Sequence, residues 1–177
     1  MTAPTYQRPD AGEYADFYAG YIDGMPDGDL LQMLEAQGKE TIALLGTEPE
    51  SRGSFAYAPG KWTLKDVLGH VTDGERVFSY RALRIARGDP TPLASFDENA
   101  WVPQAGATAR TMKDLLEEMA AVRASTLTLL GHLSAEATTR RGTASGKTIS
   151  VRALAWIIAG HERHHLLKRI VAMQMRH

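Results

Sequence analysis

An apolar run from Ala153 to Ala159 passes through Gly160 straight into His161-Glu162-Arg163-His164-His165. If this stretch is helical, His161 and His165 lie one turn apart, about 40° around the helix and roughly 6 Å along its axis. Two imidazoles stacked that way can share one metal ion, and a metal needs further ligands. The pair therefore demands a fold that brings another element against the end of this segment.

The same letters spell H-E-x-x-H, the pattern of zinc peptidases. Such an enzyme takes its third protein ligand from downstream. Only twelve residues follow His165, and they hold no Asp or Glu. In the extended form H-E-x-x-H-x-x-G-x-x-H, the glycine place is Lys168 and the last histidine place is Val171. The peptidase reading fails on both counts.

The third ligand can come from upstream. His70 lies beside the apolar stripe of Val67 and Val71, one turn before Gly74, where a glycine lets another element approach closely. His70, His161 and His165 meeting across a helical interior would offer three neutral imidazoles. That set suits Zn, Ni or Fe and leaves a coordination position open. A lone histidine on a partly apolar face is more often a satisfied core residue, so spacing alone leaves both readings open. His164, also one turn from His161, is the competing ligand. His132, after Gly131, reads as a partner of a helix C-terminus, and His177 as a terminal residue. Asp73 could orient an imidazole or sit on a solvated face. Glu75, Arg76, Arg81 and Arg84 read as intrahelical ion pairs. Trp62 and Trp156 read as core, Met173 and Met175 as packing, and Trp101 as the tryptophan to seek near a substrate.

Four long amphipathic segments surround these residues. The first starts near Gly28-Asp29 and ends by Gly46; the second opens at Thr63-Leu64-Lys65-Asp66, a capping box, and stops at Gly88-Asp89-Pro90. The third opens at Thr111-Met112-Lys113-Asp114 and runs to about His132; the fourth begins at Ser150 and runs to near the C-terminus. With no sustained period-two alternation there is little room for a sheet, and a helical bundle follows. Residues 1–27 read as an irregular arm whose Tyr14, Phe17, Tyr18 and Tyr21 pack on the bundle domain, 28–177. The long connection from Asp89 to Arg110 reads as functional.

The 177 residues fit one domain. A formal net charge of -1 removes any global electrostatic case for nucleic acid or an anionic membrane. No apolar run is long enough to span a bilayer and no signal core opens the chain, so a cytoplasmic protein with a small-molecule substrate is expected. The absence of cysteine excludes disulfides, thiolate ligands and a cysteine nucleophile, so any metal is held by nitrogen and oxygen.

Three runs then carry a resemblance: Gly60-Lys61-Trp62-Thr63, Gly69-His70-Val71-Thr72-Asp73-Gly74-Glu75-Arg76-Val77-Phe78, and Tyr80-Arg81-Ala82-Leu83-Arg84-Ile85-Ala86-Arg87-Gly88-Asp89. With Pro92 to Asn99, Ser150-Val151-Arg152-Ala153-Leu154 and Gly160 to His165, the sequence resembles the DinB/YfiT-like superfamily over nearly its whole length. The resemblance implies an up-down-down-up four-helix bundle and a metal held by His70, His161 and His165. It also implies homodimers, and activities among thiol S-transferases using bacillithiol or mycothiol, a thiol-dependent maleylpyruvate isomerase and metal-dependent hydrolases. A non-catalytic stress or binding protein is the remaining alternative.

Overall fold

The computed structural model describes residues 4–56 and 58–167. Met173, Met175 and His177 lie outside them, as does the expected extension of the last helix. In chain order the elements are α1 (Ala19–Asp23), α2 (Leu30–Gly46), α3 (Leu64–Ala86), α4 (Glu98–Ala105), α5 (Met112–Gly131), α6 (Ala135–Thr139), β1 (Arg141–Ala144), β2 (Lys147–Ser150) and α7 (Val151–Glu162). A π-helical turn, Arg163–Leu167, continues α7.

The four long helices start where side chains take up free backbone amides. Asp29 accepts from Gln32 N, Thr111 from Asp114 N and Ser150 from Ala153 N. At α3 the box is reciprocal: Thr63 Oγ1 accepts from Asp66 N at 3.2 Å and Asp66 Oδ2 from Thr63 N at 2.9 Å. Each such cap is worth about 1 kcal/mol.

Side-chain pairings fix the direction of each helix. Gln37 and Thr41 of α2 both meet Glu162 at the end of α7, so α2 and α7 run parallel. His70 and Gly74, early in α3, meet His161, late in α7, so this pair is antiparallel. Arg123 of α5 bonds Glu75 of α3 and the Leu34 carbonyl of α2, while Met112 at its start packs with Leu45 at the end of α2. So α5 runs with α3 and against α2. The bundle is up-down-down-up, with α2 diagonal to α3.

Ala153 to Ala159 of α7 is buried on every face, as an all-round apolar helix must be. One core cluster packs Leu154, Trp156 and Ile157 against Ile22, Leu34, Phe78 and Leu130. A second joins Leu68, Val71, Leu115, Met119 and Leu166. Burying each such side chain contributes about 1.5–3 kcal/mol.

The connections carry more structure than their composition suggests. The N-terminal arm holds 3-10 turns at Ala11–Glu13 and Asp16–Tyr18 as well as α1. It is pinned to α7: Arg152 Nε donates to Glu13 Oε2 at 2.8 Å, and this bond holds the Glu13 carboxyl down to about 2. A Cβ on Gly160 would stand 2.1 Å from the Tyr21 carbonyl oxygen, so only glycine lets α1 lie on α7 this closely. The connection from α3 to α5 contains α4, capped by Asp97. The connection from α5 to α7 holds α6 and an antiparallel hairpin pairing Gly142 with Ile149. Four-residue strands are too short for alternation to show.

Candidate metal centre

His70 comes from α3, His161 from α7 and His165 from the π-helical turn, and one ring nitrogen of each lies within 4.8 Å of the others. His161 Nε2 and His70 Nε2 are 3.0 Å apart. Around a tetrahedral zinc with Zn–N of about 2.0–2.1 Å, ligand nitrogens stand roughly 3.3 Å apart. The three rings thus fit a first-row divalent cation with small rotations.

Three local choices produce this placement. A Cβ on Gly74 would meet His161 Cε1 at 2.9 Å, so the glycine admits the imidazole against α3. The π-helical turn after Glu162 redirects His164 and His165, a device often found at functional positions. Burial drives the pKa of His161 well below the imidazole range, and the neighbouring His165, His70 and His164 push it further. His161 is thereby held neutral, the form that ligates metal.

Aromatic rings confine the imidazoles. Trp62 lies 4.8 Å from His70, while Tyr21 and Phe78 stand edge-on to His161 at 5.4 and 5.6 Å. The histidines open onto a cleft of about 340 Å3 that is also lined by Phe17, Tyr18, Ser95, Phe96, Glu98 and Ser145. Burial raises the Tyr21 pKa, with Glu98 adding to the rise.

Other expectations are redistributed. His164 stands beside Tyr21, at 5.2 Å between rings, and outside the three-histidine group. The bond recorded for Asp73 is to Arg76, at 3.3 Å. Trp101 does not line the cleft; it backs Phe96, with ring centroids 4.9 Å apart. Trp62, expected in the core, is a cleft wall, whereas Trp156 is buried and donates to the carbonyls of Tyr6 and Gln7. His132 caps α5, its Nδ1 2.8 Å from the Thr128 carbonyl.

Of the charges expected in intrahelical pairs, Arg76 keeps one with Asp73 and adds Glu118, and Arg84 pairs with Asp89 just beyond the helix. Glu75 and Arg81 leave the pattern. Arg123 Nε and Nη2 clasp Glu75 at 2.9 and 2.8 Å; Nη2 also reaches Glu162 at 2.7 Å, and Nη1 the Leu34 carbonyl at 2.6 Å. Glu162 also accepts from Gln37 at 2.6 Å and Thr41 at 2.7 Å. The glutamate of the apparent peptidase motif is thus fully engaged in a buried network joining all four long helices. Its partners come from two distant segments, α2 and α5, which no local spacing reveals.

Gly74→Ala separates packing from ligation. Alanine raises helix propensity by about 1 kcal/mol, yet its methyl displaces His161. Metal affinity is expected to fall about tenfold or more while thermal stability is retained, read by chelator competition beside a melting curve.

The sequence matches the profile of the DinB superfamily over residues 33–167. None of the curated proteins matches it significantly. Among solved structures, YfiT from Bacillus subtilis, described as a probable metal-dependent hydrolase with an unusual four-helix bundle topology, is 17% identical with a TM-score of 0.75. That match covers 96% of this chain and 93% of YfiT. A mycothiol-dependent maleylpyruvate isomerase is 15% identical at a TM-score of 0.67, over 82% of this chain and 61% of the isomerase, so this chain spans about three fifths of that protein. The DinB-like protein YjoA from Bacillus subtilis is 19% identical at a TM-score of 0.59, over 84% of this chain and 92% of its own. At these identities the neighbours share the fold alone. The bundle, its helix directions and a profile match spanning most of the sequence lead to one assignment: the chain belongs to the DinB superfamily.

Proposed function

We propose that this protein is a metal-dependent enzyme, with His70, His161 and His165 as ligands, that transfers a low-molecular-weight thiol to small electrophiles. The observation that carries the reading is the three-histidine cluster opening onto an aromatic-walled cleft in a chain without cysteine. A divalent ion on three neutral imidazoles keeps its positive charge and lowers the pKa of a thiol or water in its open position. The residues do the rest. Trp62, Tyr21 and Phe78 fix the imidazole planes and exclude water. The rings further along the cleft offer flat apolar walls to an unsaturated electrophile. The nucleophilic sulfur comes from a co-substrate, because the protein has none to supply.

A metal-dependent hydrolase is the second reading, favoured by Glu98, a carboxylate on the same cleft that can accept a proton. Metal-loaded protein, mixed with cysteine or mycothiol and 1-chloro-2,4-dinitrobenzene, is expected to form the thioether well above a His161→Ala control. Turnover equal to that control contradicts thiol transfer. Hydrolysis of a nitrophenyl ester without thiol, abolished by the same substitution, favours the hydrolase.

A further inference from the structure

Arg81 is only 2% exposed, yet no ion-pair partner is found for it among the described residues. Its Nη2 donates to two neutral acceptors, the Ala94 carbonyl at 2.6 Å and Ser145 Oγ at 3.1 Å, and its guanidinium lies 5.6 Å from the Phe96 ring. A clamp onto neutral oxygens does not require a charge, and burying one without a counter-ion is costly. Phe96 and Ser145 are both cleft walls, so this positive charge stands directly behind the cleft surface.

Ser145 gives a second, independent observation. It precedes Gly146 in the hairpin turn, and both have positive φ, 52° and 72°. That turn favours Asn-Gly or Gly-Gly, and Ser145 is the only non-glycine residue with positive φ among those described. A serine held there against its backbone preference keeps a hydroxyl on the cleft. Because that oxygen accepts from Arg81, its own proton is free to donate into the cleft. The Tyr18 hydroxyl lies nearby: burial raises its pKa, and Arg81 pulls it back.

We propose that Arg81, acting through Ser145 and Tyr18, forms a carboxylate-recognition subsite at the end of the cleft remote from the histidines. The inference rests on the enzymatic reading in one respect: the carboxylate belongs to a molecule whose reactive end lies at the histidine cluster. His70 and Arg81 are eleven residues apart on α3, about three turns, so they share a face at a separation of roughly 16 Å along the axis. His70 and Ser145 both line this one cleft, so one extended ligand can reach both. Glu98 on the same cleft repels an anion and sets a limit on affinity.

The test uses phenylacetate and its neutral counterpart 2-phenylethanol on metal-free protein, by ligand-observed NMR titration. Wild type is expected to bind phenylacetate at least fivefold more tightly than the alcohol. Arg81→Gln is expected to remove that preference while leaving the alcohol unchanged, Arg81→Lys to retain part of it, and Glu98→Gln to strengthen phenylacetate about two- to threefold. Equal binding of the two probes by wild type overturns the proposal, whatever the variants do. A folded Arg81→Gln that keeps the preference also overturns it. Because metal is absent, failure here is separate from failure of the metal centre. In turnover, a carboxylate-bearing thiol with a neutral electrophile, and then the reverse pairing, shows which substrate carries the group. Arg81→Gln is expected to raise KM at least fivefold for that substrate alone, with kcat little changed.

Discussion

Arg123→Ala is expected to reduce the unfolding free energy by about 3–5 kcal/mol. Arg123 is 4% exposed and, among the described residues, is the one cation between the carboxylates of Glu75 and Glu162, themselves 3% and 1% exposed. Burial opposes its charge, but the two carboxylates prevail and raise its pKa. Removing it leaves two buried anions facing each other and takes a side-chain donor from the Leu34 carbonyl. Urea denaturation at neutral pH measures the loss. Arg76→Ala provides the comparison: its pairs with Asp73 and Glu118 are partly solvated, and its removal is expected to cost no more than about 1 kcal/mol. A loss of similar size for both variants would mean that the network contributes no more than a surface pair. The consequence reaches the candidate site because Glu162 follows His161 and is the last residue of α7 before the π-helical turn that carries His165.

The long helices were legible because their signals are local. Thr63-Asp66, Thr111 and Ser150 announce helix starts within four residues, and the Ala153–Ala159 run announces a helix buried on every face. The His161–His165 pair was legible for the same reason, since one helical turn fixes the spacing. The need for Gly74 was legible too, as the residue one turn from His70 on the face that must admit a partner.

What the sequence left hidden depends on chain segments meeting from far apart. Glu75 has i+1 and i+6 arginines on its own helix, yet it binds Arg123 on another. Trp62 precedes a capping box and carries no mark of its place against His70. Ser145 and Arg81 are 64 residues apart, and only the hairpin brings them together. That hairpin and α6 are each too short for periodicity to show.

The second large effect falls on His70. In the proposed centre it is the ligand from α3, the element that the H-E-x-x-H reading leaves out, and its Nε2 lies 3.0 Å from that of His161. On that proposal His70→Ala removes one of three nitrogen ligands and leaves two, from one helix end, a set that holds a divalent ion far more weakly. Affinity for Zn is expected to fall about a hundredfold or more, because the lost ligand outweighs the ten- to hundredfold effect of an outer-shell change. His70 packs against Trp62, so a melting curve accompanies the measurement to show that the variant remains folded. His164→Ala distinguishes the ligand set: as the histidine outside the cluster, it is expected to leave metal binding within about threefold of wild type.

The most direct measurement is metal per chain by elemental analysis after Zn loading and desalting, made in parallel on wild type, His70→Ala and His164→Ala. One equivalent in wild type and in His164→Ala, with close to none in folded His70→Ala, is the predicted result. Equal metal in wild type and His70→Ala would contradict the three-histidine centre.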